Sequence, residues 1–72
     1  MTEQRPLEEL SVTELIVNLE TLTERLAHFR HQSGFFEIKE YMSANYRRHV
    51  SLLRRHGFNA MADNYLEEWD KI

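Results

Sequence analysis

Four histidines are the residues of this 72-residue chain with the clearest capacity for metal chemistry. His28 and His31 lie three residues apart in a predicted helix, and Glu24 precedes His28 by one turn. This spacing allows a weak surface chelate, but it is not the spacing of zinc proteases, and the chain has no cysteine to assist. Both imidazoles also point away from the predicted apolar seam. We therefore expect solvated histidines and neither a metal nor another cofactor.

The serine, histidine and carboxylate residues form no known catalytic pattern. The sequence has no nucleophile-elbow pattern, no glycine-rich loop for phosphates, and no pair of carboxylates whose spacing would bury them together. We predict that the chain is not an enzyme.

A cluster of basic residues lies in the second half of the second predicted helix: Arg47, Arg48, His49, Arg54, Arg55 and His56. Arginine pairs seven residues apart share the same faces of a helix, and such faces can follow nucleic-acid phosphates. One interpretation is therefore a nucleic-acid-binding regulator that uses these arginines.

The same arginines can instead complement the helix dipole and form ion pairs with the third predicted helix. The expected pairs are Arg48 with Glu67 and Arg47 with Glu68. We favour this interpretation because the helix that a helix-turn-helix protein inserts into the major groove is acidic here, and acidic residues repel phosphates. Its acidic residues are Asp63, Glu67, Glu68 and Asp70. Nucleic acid is thus the less favoured partner.

Asn45 and His49 lie one helical turn apart, near the centre of the apolar sector of the second helix. Polar groups in a core destabilise the fold unless they are hydrogen-bonded, and they often determine register. Three roles remain open for this predicted buried polar pair. It can be a satisfied core pair, a register device at a subunit interface, or a contact to a ligand or partner.

Phe36 faces away from the main apolar sector, unlike the neighbouring Phe35. An exposed aromatic side chain beside a charged rim is a common anchor for a protein partner. The predicted binding surface therefore combines Phe36 with the charged outer sides of the second and third helices. Its charged members are Arg47, Arg48, Arg54, Arg55, Glu67 and Asp70.

The elements that position these residues are three helices. Ser11 and Glu14 form a capping-box pattern, and leucines with alternating spacings of three and four then predict helix 1 over about 12–31, with Gly34 as its stop. Pro6 suits the start of a short preceding turn. Helix 2 is predicted over about 35–56, and helix 3 over about 60–72 with Asn59 as its N-cap.

The two glycine-containing turns are short, so neighbouring helices should be antiparallel. The predicted fold is an all-α, up-down-up three-helix bundle, a single small domain over 1–72. Leu19 and Leu22 should be buried, with Leu26 near Met42 and Leu15 near Leu53. Because helix 3 is short, part of the apolar surface of helices 1 and 2 lacks cover, which a second copy could provide; we expect a homodimer.

Composition limits the function classes. The net charge is −3, no apolar run is long enough to span a membrane, and the first ten residues lack the apolar core of a signal peptide. We expect a cytoplasmic protein that does not bind membranes. By elimination, the predicted function is a small protein-protein interaction module that acts as an adaptor, inhibitor or regulator.

Overall fold

The computed structural model describes residues 6–72, so residues 1–5 of the predicted domain lie outside the described residues. A short 3-10 turn, Leu7–Glu9, is followed by α1 (Val12–His28), α2 (Phe35–Arg55) and α3 (Asn59–Lys71). The described range contains no strand. The central helix, α2, packs against both α1 and α3, which confirms the predicted three-helix bundle.

The start of α1 is held by a reciprocal pair of hydrogen bonds. The backbone N–H of Glu14 donates to the Ser11 hydroxyl oxygen at 3.2 Å, and the Ser11 N–H donates to the Glu14 carboxylate at 3.0 Å. The capping box read from the sequence is therefore confirmed. Pro6 lies just before the 3-10 turn, at its N-cap, rather than at its first position.

Substitution of Ser11 by alanine should lower the free energy of unfolding by about 1 kcal/mol, because one N–H in the first turn of α1 loses its acceptor. Urea denaturation followed by circular dichroism measures this loss. Thr13→Ala is the matched control, since Thr13 is an exposed residue of the same turn with no capping bond. Equal stability of Ser11→Ala and the wild type would contradict the assigned helix start.

Two helix boundaries differ from those predicted. Helix α1 ends at His28 rather than near His31. The backbone N–H groups of Phe29 and Arg30 donate to carbonyls three residues back, which replaces the α-helical hydrogen-bond pattern with a tighter turn. Gly34, with φ +81°, is the N-cap of α2 and not the stop of α1. Asn59 is already helical, and Phe58 takes the N-cap position without a side-chain bond.

The register of α1 against α2 agrees with the predicted pairing to within about one residue. Asn18 of α1 is bonded to His49 of α2, and Thr23 lies 3.5 Å from the phenol of Tyr46. Leu19 is fully buried, as predicted, whereas Leu22 is only half-buried because it lies at the edge of the contact. The buried hydrophobic core comprises Leu15, Leu19, Leu26, Tyr46, Val50, Leu52, Leu53, Ala62 and Trp69.

Aromatic packing joins α3 to α2. The indole of Trp69 stacks on the ring of Tyr46 at 4.0 Å and donates a hydrogen bond of 2.8 Å to the hydroxyl of Ser43. The Tyr46 phenol donates to the backbone carbonyl of Tyr65 at 2.9 Å. Burial raises the pKa of Tyr46 above its ordinary value, since the phenolate would lose hydration. With the Tyr46 phenol neutral, these hydrogen bonds satisfy both the phenol and the Trp69 indole.

Candidate functional site

A groove between α1 and α2 exposes apolar side chains to solvent. Its wider end has a volume of about 820 Å³ and is lined by apolar residues from both helices: Leu22, Phe29, Ile38 and Met42. All four side chains are partly exposed to solvent, and those of Leu22, Ile38 and Met42 also pack against the core. Volumes in this range are typical of surfaces that bind a ligand or a partner side chain.

A second hollow of about 510 Å³ continues the groove toward the N-terminal turn. The two hollows share Leu22, Arg25 and Asn45, so these residues mark the middle of one continuous feature. Leu7 and Leu10 line the far end, together with more polar residues such as Asn18 and Thr21. The narrower hollow is therefore mixed in character, whereas the wider end is mainly apolar.

Tyr41 stands at the rim of the wider end and is 86% exposed. This large aromatic side chain projects from α2 beside Ile38 and Met42. Its exposure is unusual for an aromatic residue next to an apolar groove, because burial of its ring would stabilise the protein. Tyr41 is therefore a candidate anchor for a partner.

Helix α3 does not line either hollow of the groove. A separate depression involves Thr23 of α1 with Asn64 and Tyr65 of α3, on the other side of the α1–α2 hairpin. One side of the hairpin is thus covered by α3, and the other side stays open except where the N-terminal turn lies.

An ion pair holds that turn in place. The Arg48 guanidinium donates to the Glu8 carboxylate at 3.1 Å. A hydrogen bond with its own backbone, followed by this guanidinium, lowers the pKa of Glu8 below its ordinary value. Both side chains are at least half exposed, so solvent screens the pair and its contribution to stability is small.

Neither of the two predicted ion pairs between helices 2 and 3 forms, and Glu68 pairs with Lys71 instead of Arg47. Arg48 pairs with Glu8 and not with Glu67, because the N-terminal turn lies on that face of α2. Arg54 does reach α3, where it pairs with Asp63. Within residues 6–72, Arg47 and Arg55 are exposed and form no ion pair within 4 Å.

Other predicted site residues are exposed, but the structure does not bring them into one pocket. Phe36 is 70% exposed near the start of α2, as expected from its angular position. Glu67 and Asp70 are exposed on α3. None of these three lines the groove between α1 and α2.

The predicted buried pair of Asn45 and His49 is wrong for Asn45. Its side chain is exposed at the groove, and only its backbone carbonyl contacts His49, which donates to it from Nδ1 at 2.8 Å. His49 is buried, and its Nε2 accepts from the amide of Asn18 at 3.2 Å. The side-chain partner of His49 is therefore Asn18 of α1 and not Asn45.

The candidate metal ligands do not form a cluster within residues 6–72. No group of three or more histidine or carboxylate side chains there could hold a metal ion. His28 lines the groove and His31 is exposed in the following turn. No helix of this range is long and apolar enough to cross a membrane.

The sequence predicts uncovered apolar surface on helices 1 and 2, but it does not identify the residues that line the groove. The apolar sector of α2 spans about half of the helix circumference, which is more than α1 and the 13-residue α3 can cover. The exposure of Tyr41 follows from the side of α2 on which α3 docks.

Comparison with known proteins finds no protein family, no characterised protein and no solved structure with significant similarity to this chain.

Proposed function

We propose that this protein is a non-catalytic protein-protein interaction module, an adaptor, inhibitor or regulator, and that its partner docks in the groove between α1 and α2. The observation that carries this proposal is the groove itself. Its side chains Leu22, Ile38 and Met42 are partly exposed to solvent, and the exposed Tyr41 projects beside them. Covering these side chains removes apolar surface from water, at about 25 cal/mol per Å².

A helical surface is the form of partner that suits the groove. An open channel between two antiparallel helices accepts the apolar face of a third, as in helix-in-groove recognition. The protein already buries one amphipathic helix against α2, where α3 docks through Trp69 and Ala62. Tyr41 would supply the aromatic anchor at the rim.

Electrostatics favour a protein over nucleic acid as the partner. The groove carries both Glu24 and Arg25, so it has no excess of positive charge for a phosphate backbone. Two of the four clustered arginines, Arg48 and Arg54, are engaged by carboxylates. The nucleic-acid interpretation then depends on Arg47 and Arg55 alone. We propose a cytoplasmic location for this binding.

Photocrosslinking in the native host tests the groove directly. Benzoylphenylalanine placed at position 41 keeps an aromatic ring at the rim, and the same residue at position 17 is the matched control, because Val17 is 54% exposed but outside the groove. We expect a discrete protein adduct from position 41 and none from position 17.

A third variant, with the probe at position 36, separates the groove from the surface predicted around Phe36. An adduct from position 36 and none from position 41 would move the binding surface to the outer face of α2. No protein adduct from either position 41 or position 36, or an adduct containing nucleic acid, would overturn the proposed function.

A further inference from the structure

We infer that the occupant of the groove is a second copy of this chain, paired about a twofold axis that passes over the middle of the groove. This inference rests on the proposed function and names the partner. In a twofold dimer the same surface is used by both copies, so every projecting group must meet a hollow of the same molecule.

The two ends of the groove have the shapes that such a pairing requires. Tyr41 projects at the wider end, and the hollow of about 510 Å³ lies at the other end, near the N-terminal turn. A twofold axis over Leu22 and Asn45 brings the wider end of one copy over the narrower end of the other. Each Tyr41 then enters the opposite hollow.

The lining of that hollow suits a tyrosine. Leu7 and Leu10 offer apolar surface for the ring, and the side chains of Asn18 and Thr21 offer polar atoms for the phenol. Buried tyrosines normally need both kinds of contact, because the hydroxyl must keep a hydrogen bond when the ring leaves water.

The charges of the groove are also self-complementary. Glu24 and Arg25 are consecutive residues of α1, and neither forms an ion pair within 4 Å among residues 6–72. The axis over Leu22 lies within one helical turn of both residues, so an antiparallel pairing of α1 with α1 of a second copy brings each carboxylate within reach of the opposite guanidinium. A groove of one sign of charge would repel its own copy.

Size supports a dimer as well. A chain of 72 residues has a small core, and association is one of the usual ways in which such chains gain stability.

Sedimentation equilibrium of the wild-type protein, from low to high micromolar concentration, is the primary test. We expect the mass to approach twice 8.7 kDa. Tyr41→Ala should weaken dimerisation by a factor of ~30 or more, as expected for an interface anchor. Phe36→Ala is the matched control, since it removes an exposed aromatic residue outside the groove and should leave the dimer intact.

Thr21→Trp tests the hollow without touching Tyr41. The larger side chain should fill the hollow and weaken dimerisation to a similar degree, with helical circular dichroism showing that the bundle still forms. A mixture of Tyr41→Ala and Thr21→Trp should associate more strongly than either variant alone. The mixed pair keeps one intact contact, in which Tyr41 of the Thr21→Trp copy enters the open hollow of the Tyr41→Ala copy.

Three results would overturn the dimer: a mass of 8.7 kDa at high micromolar concentration, equal effects of Phe36→Ala and Tyr41→Ala, or no gain on mixing the two variants. The crosslinking experiment separates this failure from failure of the proposed function. An adduct at position 41 with a different protein rejects the second copy but keeps the groove as a binding site. The absence of any protein adduct from either position 41 or position 36 rejects both.

Discussion

Replacement of Trp69 by alanine is expected to lower the free energy of unfolding by about 3–5 kcal/mol. Trp69 is 1% exposed, stacks on Tyr46 and is one of only two buried residues in α3. Loss of the indole removes its ring contact and leaves a cavity between α2 and α3. In a domain of this size a single hydrophobic core rarely supplies more than about 3–5 kcal/mol, so this one change should leave a large unfolded fraction at ambient temperature.

Urea denaturation followed by far-ultraviolet circular dichroism measures the effect, because Trp69 is the only tryptophan and its fluorescence is lost with it. Ser43→Ala is an informative comparison. It keeps the indole but removes the acceptor of the buried Nε1–H, which should lower stability by about 1–3 kcal/mol. A Trp69→Ala protein with the wild-type urea midpoint would show that α3 is not anchored here.

The helices and the α1–α2 register could be predicted because they depend on local patterns and short turns. The bond between Asn18 and His49 lies where the leucine spacing and the turn at Gly34 place it. The capping box of Ser11 and Glu14 is equally local. In each case the residues that determine the structure are neighbours in sequence or are aligned by one short connection.

Uncovered apolar surface on helices 1 and 2 was predicted, but the residues that line the groove could not be, because they depend on where α3 docks. The wide apolar sector of α2 allows a neighbour on either side, and periodicity does not distinguish the two. α3 packs on the side of Tyr46 and Val50, so Tyr41 and Asn45 are left exposed. The pairing of Arg48 with Glu8 joins residues 40 positions apart, which no local pattern reports.

Leucine-to-alanine changes at two neighbouring positions of α1 should differ in both size and concentration dependence. Leu19 is fully buried, so Leu19→Ala should lower the free energy of unfolding by about 2–5 kcal/mol at any protein concentration. Leu22 is half-buried at the middle of the groove. In dilute protein, Leu22→Ala should have about half that effect, because solvent already reaches the side chain and no closed cavity remains.

At high protein concentration the effect of Leu22→Ala should grow. If a second copy covers Leu22, association stabilises the wild type by mass action, and the variant loses part of that stabilisation as well as its own packing. Thermal unfolding at low and high micromolar concentration measures both contributions, with Leu19→Ala as the internal reference. A Leu22→Ala effect that is as large as that of Leu19→Ala in dilute protein would show that Leu22 belongs to the closed core of the monomer. The groove would then be shallower than the structure shows.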